Sequence, residues 1–342
     1  MFARSSFWNS RLPSNTPIDP NSASYIANIV AQGEANTFGL SYETGGATFF
    51  FAGKDQPKKK VTIDNTENQF FGEMQGAFAE VPIPDLARPA TPISSDSPLC
   101  IYQRSTDTYW EFWKASQFEV DGPHTTGQAL NASEETRNKP GWHCEAGAVA
   151  KEASKNPGYF VDGSWPAVNG KGYHWSSTAS GLFLAGGLLK VDEARRLYIP
   201  HALQFSIPNA RKGVWRWPAS KSDGLSEEAW APHYGMCFRL PPSFDLSTVA
   251  DPFMRCIARS WKEFGMYLKD KAGNVTIQCE QRSTIPGSQS KGTDAWKGPQ
   301  GQFGSTGAIL SKVVSGAGGL AEQLPWSHLE LVAESFRPEG FS

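Results

Sequence analysis

Charge is scarce in this chain. Asp, Glu, Lys and Arg make up 19% of its 342 residues, against about 25% in an average globular protein. The 32 basic and 34 acidic residues are interspersed and leave a net charge of −2. No basic face emerges that would neutralise a phosphate backbone, so nucleic acid is not an expected partner. No apolar run reaches the ~18 residues that a membrane span needs, so membrane insertion is not expected either. The opening residues, MFARSSFWNSRLPSN, lack the apolar core of a secretion signal. The expectation is that a signal was removed or that the protein leaves its cell by virion assembly and lysis.

Cysteine is also sparse. The five cysteines, Cys100, Cys144, Cys237, Cys256 and Cys279, form no CxxC pair. A zinc site built on cysteine spacing is therefore not expected, and reduced, buried thiols are. One long-range disulfide stays open. The chain has no P-loop, no strand followed by GxGxxG, and no HExxH, GxSxG or EF-hand loop. No metal or cofactor is expected. Repeats with a period of about 20–50 residues are missing too, which argues against a propeller or solenoid. None of these absences excludes glycan chemistry, which needs only two carboxylates and leaves little local spacing signature.

Turn formers and aromatics, by contrast, are plentiful: 33 glycines, 24 prolines and 12% Phe, Trp and Tyr. Gly and Pro punctuate short strands, and rings fill pleated faces. The expected fold is mainly β, an antiparallel β-sandwich of jelly-roll-like form with a few short helices. Residues 1–280 read as the sandwich with an N-terminal helix. Residues 281–342 read as an irregular extension that docks back on it. A first helix is expected from Asp19-Pro20-Asn21-Ser22 to Gly33, with Tyr25, Ile26, Ile29 and Val30 as its buried stripe. A second is expected near Asp251 to Phe264, with Pro252 in its first turn and Gly265 as its stop. Phe7-Trp8-Asn9 reads as an anchor packed on the main body.

Two stretches carry the candidate chemistry. Leu99 to Ala115 reads as a hairpin. Its second strand puts Tyr109, Glu111 and Trp113 on one face, and Trp110 and Phe112 on the other. A carboxylate between two rings suits a sugar-binding groove, because rings stack on pyranose faces and the carboxylate accepts from hydroxyls. An exposed Glu beside ordinary aromatic packing is the bland alternative. Tyr173 to Gly224 is the other stretch. It holds His174, His201, Trp215, Arg216, Trp217 and Asp223. Strand alternation from His201 to Ile207 places His201 on the apolar face, where a histidine is usually a satisfied core residue. Val214-Trp215-Arg216-Trp217 reads as a strand with Arg216 opposite the two tryptophans. Arg216 is expected to clamp a carboxylate at a rim shared with Asp223, or to form a plain surface salt bridge. His143 and Cys144, being adjacent on a strand, point to opposite faces and cannot act as a pair.

The blocks Ser6-Phe7-Trp8-Asn9, Tyr109-Trp110-Glu111-Phe112-Trp113, Ser177-Thr178-Ala179-Ser180-Gly181-Leu182 and Pro200-His201-Ala202-Leu203 point further. With Trp217-Pro218-Ala219 and Ser222-Asp223-Gly224, they resemble a poorly characterised family. It comprises secreted actinobacterial proteins and minor tail proteins of actinobacteriophages. The likeness spans roughly Ser6 to Leu331 and brings no known catalytic residues. The plain Met1 start favours the phage version. The resemblance implies a virion or extracellular location and other tail proteins as partners in an oligomer. Three functions follow. The first is a tail component that recognises host-surface glycan, with Tyr109, Trp113, Trp215, Arg216 and Trp217 as binding residues. The second is a polysaccharide hydrolase or lyase, with Glu111 and Asp223 as the carboxylates and His174 or His201 assisting. The third is a purely structural tail protein.

Overall fold

The structure is a computed structural model that describes residues 1–42, 45–68, 71–90, 96–118, 139–159, 176–281, 319–339 and 341. Among the described residues it is mainly sheet with few helices, arranged as several mixed sheets and no barrel.

Six strands form the largest sheet: β1 (Phe38–Ser41), β9 (Leu203–Ile207), β10 (Cys237–Arg239), β11 (Met266–Lys271), β12 (Val275–Gln278) and β13 (Glu330–Leu331). Their order is β1-β12-β9-β11-β10-β13. A four-stranded sheet has the order β2 (Thr48–Ala52), β4 (Leu99–Gln103), β5 (Thr108–Trp113), β8 (Ala146–Ala150). A three-stranded sheet has the order β3 (Val61–Ile63), β7 (Gly141–Cys144), β6 (Ser116–Phe118). The antiparallel expectation is corrected. β1 runs parallel to β12, β9 to β11, β2 to β4 and β3 to β7. Parallel neighbours need crossovers rather than hairpins, and the chain between these strands is long enough to supply them.

Period-two alternation decides what each sheet touches. In the six-stranded sheet, Phe38, Leu40, Leu203, Phe205, Ile207, Val275 and Ile277 enter one apolar core. That core takes in α1 (Ser22–Ala35) and α4 (Pro252–Glu263). Asp251 caps α4 by accepting from the N–H groups of Phe253 (2.8 Å) and Met254 (3.0 Å), as its place before Pro252 requires. α1 continues past Gly33 to Ala35, because tertiary burial of Gln32 and Gly33 outweighs the stop signal. The alternate residues of the same sheet, Gln204, Ser206 and Gln278, are polar and face the other way. Gln204 donates to the Leu184 carbonyl (2.8 Å), and the Gln278 amide donates to Ser206 (3.2 Å).

The four-stranded sheet divides its faces similarly. Trp110, Phe112, Leu99 and Ile101 share a core with Val61, Ile63, Trp142 and Cys144 of the three-stranded sheet, and with Met74 of α2 (Phe71–Ala77). The opposite face, with Cys100, Tyr102 and Tyr109, packs on Phe183, Leu184 and Leu188. Residues 176–189 therefore lie between the four-stranded sheet and the polar face of the six-stranded one. Gly186 and Gly187 admit the Trp8 indole so closely that a Cβ at either would overlap it. Phe7 and Trp8 are fully buried there, as an anchor should be. The short helix α3 (Val191–Arg196) follows. Residues 319–339 return to the large sheet, where Trp326 stacks on Phe38 (5.0 Å) and β13 pairs with β10. All five cysteines are buried and unbridged. Among the described residues, no helix is long and apolar enough to cross a membrane.

Candidate binding cleft

A cleft of about 830 Å³ opens where three of these parts meet. The end of β11 gives Lys269, Asp270 and Lys271. Residues 176–179 and Leu184 form a second wall. The third side consists of Lys221, Ser222 and Asp223, with Trp113 of β5 and Asp96 across from them. Two local features build it. Between Leu268 and Asp270 the pairing of β11 with β9 slips by one residue. A regular strand would turn Lys269 and Asp270 to opposite faces, whereas a bulge lets both line the cleft. The loop bearing Lys221 is clamped to the second wall by the Ser220 N–H, which donates to the Ser180 carbonyl (2.9 Å). Gly181, at φ +80°, lies so close to the Ser220 hydroxyl that no Cβ would fit.

Glu111 lies behind the second wall, with none of its surface exposed. It accepts from the Tyr109 hydroxyl (2.8 Å), the Leu184 N–H (2.7 Å) and the Ser177 N–H (3.3 Å). Burial raises its pKa, while those donors and the nearby Lys269 pull it back. The Tyr109 hydroxyl in turn accepts from the Ala185 N–H (3.2 Å) and reaches Cys100 Sγ (3.2 Å). Glu111 thus ties β5 to the middle segment.

The walls carry further charge. Asp270 is partly buried and accepts from the N–H groups of Lys271 (2.9 Å) and Ala179 (3.3 Å). Burial pushes its carboxyl up from 3.8 to about 6, with the neighbouring Asp223 adding to the shift. Lys269 is wholly buried and donates to the Gln278 side-chain oxygen. Burial lowers its pKa, and burial also lowers that of Lys221. Asp223 accepts from the Tyr234 hydroxyl (2.7 Å) and pairs with Lys271 (3.2 Å). Trp113 is held by its indole N–H, which donates to Asp96 (2.9 Å), and the Lys114 ammonium lies 4.2 Å from its ring centre.

Of the residues singled out in the sequence, Trp113 and Asp223 line this cleft and Glu111 lies behind it. The others are elsewhere. Tyr109 is fully buried, so it offers no ring face to a sugar. His201 is 9% exposed and lies between the Glu193 carboxylate (2.9 Å) and the Ala202 carbonyl (2.8 Å). It helps to lock α3 rather than meet the two carboxylates. Arg216 is not on a rim. It is buried, donates to the Val332 carbonyl (2.9 Å) and lies 3.8 Å from Asp19. The expected strand around it is absent: Trp215 makes one isolated bridge to Tyr234 and is 39% exposed. Trp217 packs internally on Phe7, Tyr159 and Phe341, with Arg337 over its ring. His174 lies outside the described residues. His143 bonds Asp64 (2.8 Å) while Cys144 enters the apolar core, so the two do point apart.

Lys221, Lys269 and Asp270 were not legible as site residues. A run of charge inside a strand, Lys-Asp-Lys after Met-Tyr-Leu, is the one mark that sets them apart. Comparison with known proteins adds no parallel for this arrangement: no family model, curated protein or solved structure matches the chain.

Proposed function

We propose that the protein is a virion tail component that recognises a glycan on the host surface through this cleft. The observation that carries the reading is the combination in one space of about 830 Å³ of a fixed tryptophan and many hydrogen-bonding groups. That volume lies in the range of small-molecule sites, about 300–1,000 Å³. A pyranose stacks on an indole and bonds through its hydroxyls to side chains already held in place. The virion setting, other tail proteins as partners and an oligomeric state rest on the family resemblance read from the sequence. We also read the stacked sheets as a β-sandwich with a filled middle layer, which the shared cores on both faces of the four-stranded sheet support.

One observation favours a hydrolase or lyase on the same scaffold. Asp270, with its raised carboxyl, and Asp223 share the cleft, and two carboxylates in unlike environments divide acid from base. In that reading Asp270 takes the place that Glu111 held in the sequence analysis. Glu111 is enclosed by its three donors, and His201 stands apart.

One experiment addresses both readings. Labelled protein is bound to fractionated actinobacterial wall glycans, and the same fractions are assayed for released reducing ends. Trp113→Ala is expected to weaken binding by about tenfold or more. Trp215→Ala, exposed but outside the cleft, is expected to leave it unchanged. Equal binding by Trp113→Ala and the parent would sink the glycan reading. Absence of new ends would remove the hydrolytic one.

A further inference from the structure

Most polar groups of the cleft are already partnered, and two donors are not. Glu111 has its three donors. Asp270 accepts from two backbone N–H groups, Asp96 from the Trp113 indole, and Asp223 from Tyr234 beside its ion pair with Lys271. Glu67 stands exposed at the outer edge.

The donors differ. Lys221 is partly buried, yet among the described residues no hydrogen bond or ion pair engages its ammonium. Asp270, Glu111 and Asp223 attract it without binding it, and burial acts against its charge. Ser177 is 8% exposed, and its buried hydroxyl has no partner among the described residues. Both residues line the cleft, and the Ser220–Ser180 clamp joins the segments that carry them. A buried donor left unpaired is destabilising, and a buried ammonium more so. What such a pair lacks is an acceptor within hydrogen-bonding reach, and an ammonium bonds an anionic acceptor most strongly.

We propose that the ligand is an acidic saccharide whose anionic group is taken up by Lys221 and Ser177. This rests on the glycan reading above and specifies its substrate class. The neutral part of the sugar lies on Trp113, and the anionic oxygens accept from the ammonium and the hydroxyl. Carboxylate and phosphate share this chemistry, so uronates and phosphate-bearing sugars are both candidates.

The test is calorimetric titration of the full chain with three probes. These are oligogalacturonate and oligoglucuronate, their carboxyl-reduced neutral counterparts, and a glycerol-phosphate oligomer bearing sugars. At least one acidic probe is expected to bind about tenfold more tightly than the neutral ones, the usual effect of one charge-assisted hydrogen bond. Uronate binding and phosphate binding each support the inference and identify the source. Lys221→Gln is expected to erase the preference. Ser177→Ala, a small change with little risk to folding, is expected to reduce it. Equal affinity for acidic and neutral probes would overturn the inference while leaving glycan recognition standing. So would an acidic preference that survives both substitutions. If neither probes nor wall fractions bind, the underlying glycan reading fails with it.

Discussion

On the four-stranded sheet, one face turns Trp110 and Phe112 into an apolar core, and the other turns Tyr109 and Glu111 into a hydrogen-bonded network. Burial is nearly total on both sides: Phe112 is 1% exposed and Glu111 not at all. The difference is in what completes each face. Trp110 and Phe112 need only shape and a dry partner, which the three-stranded sheet and α2 provide. Glu111 needs donors, and they come from the backbone of residues 177 and 184, a segment that no strand pairing holds. The first face is a packing problem with many solutions. The second works only if one irregular segment sits correctly, and that same segment forms a wall of the cleft.

Three measurements separate these faces further. Phe112→Ala should have the largest effect, lowering unfolding free energy by about 3–5 kcal/mol in urea titration, as for other buried Phe truncations. A much smaller loss would mean that the core collapses around the gap. Glu111→Gln keeps the shape but weakens the bonds from Tyr109, Leu184 and Ser177. It should lower stability by about 1–2 kcal/mol, and amide exchange at residues 177 and 184 should speed up more than in β4 or β5. Uniform loss of protection would show that the network does not hold the segment separately.

The smallest effect concerns the wall. The Asp270 carboxyl is raised from 3.8 to about 6 in the folded state. Between those values the folded chain holds more protons than the unfolded one, so stability falls as pH rises through that window. Asp270→Asn should remove this decline. Its stability relative to the parent should therefore improve from pH 4 to pH 6 and stay level above. Parallel profiles for the two proteins would show that the carboxyl titrates as in an unfolded chain.

Much of the fold was legible locally. The alternation in Tyr109-Trp110-Glu111-Phe112-Trp113 assigned each side chain its face, because a strand has no other choice. Asp251-Pro252 and the stripe from Phe253 to Trp261 marked α4 through capping and period. The apolar set of Leu203, Phe205 and Ile207 was equally plain. His201 is buried and satisfied, as its place on the apolar face implied, although no sequence rule pairs it with Glu193. The errors share a cause. Arg216 was placed at a rim because the flanking tryptophans suggested a strand; in fact residues 332 and 19 cover it. Antiparallel pairing was assumed because hairpins are the local route to a sheet, whereas four of the pairs close over long sequence separations.

Tyr173 to Gly224 is, over its described part, a middle layer and clamp, and from its latter half only Lys221, Ser222 and Asp223 reach the cleft. The chain alone determined which side chains the strands bury and where α4 begins. Tertiary structure decided which charges meet. The slip between β9 and β11 turned Lys269 and Asp270 to the same space, and the Ser220–Ser180 clamp brought Lys221 beside them. Periodicity is written in neighbouring residues, but a bulge and a loop contact depend on partners dozens of positions away.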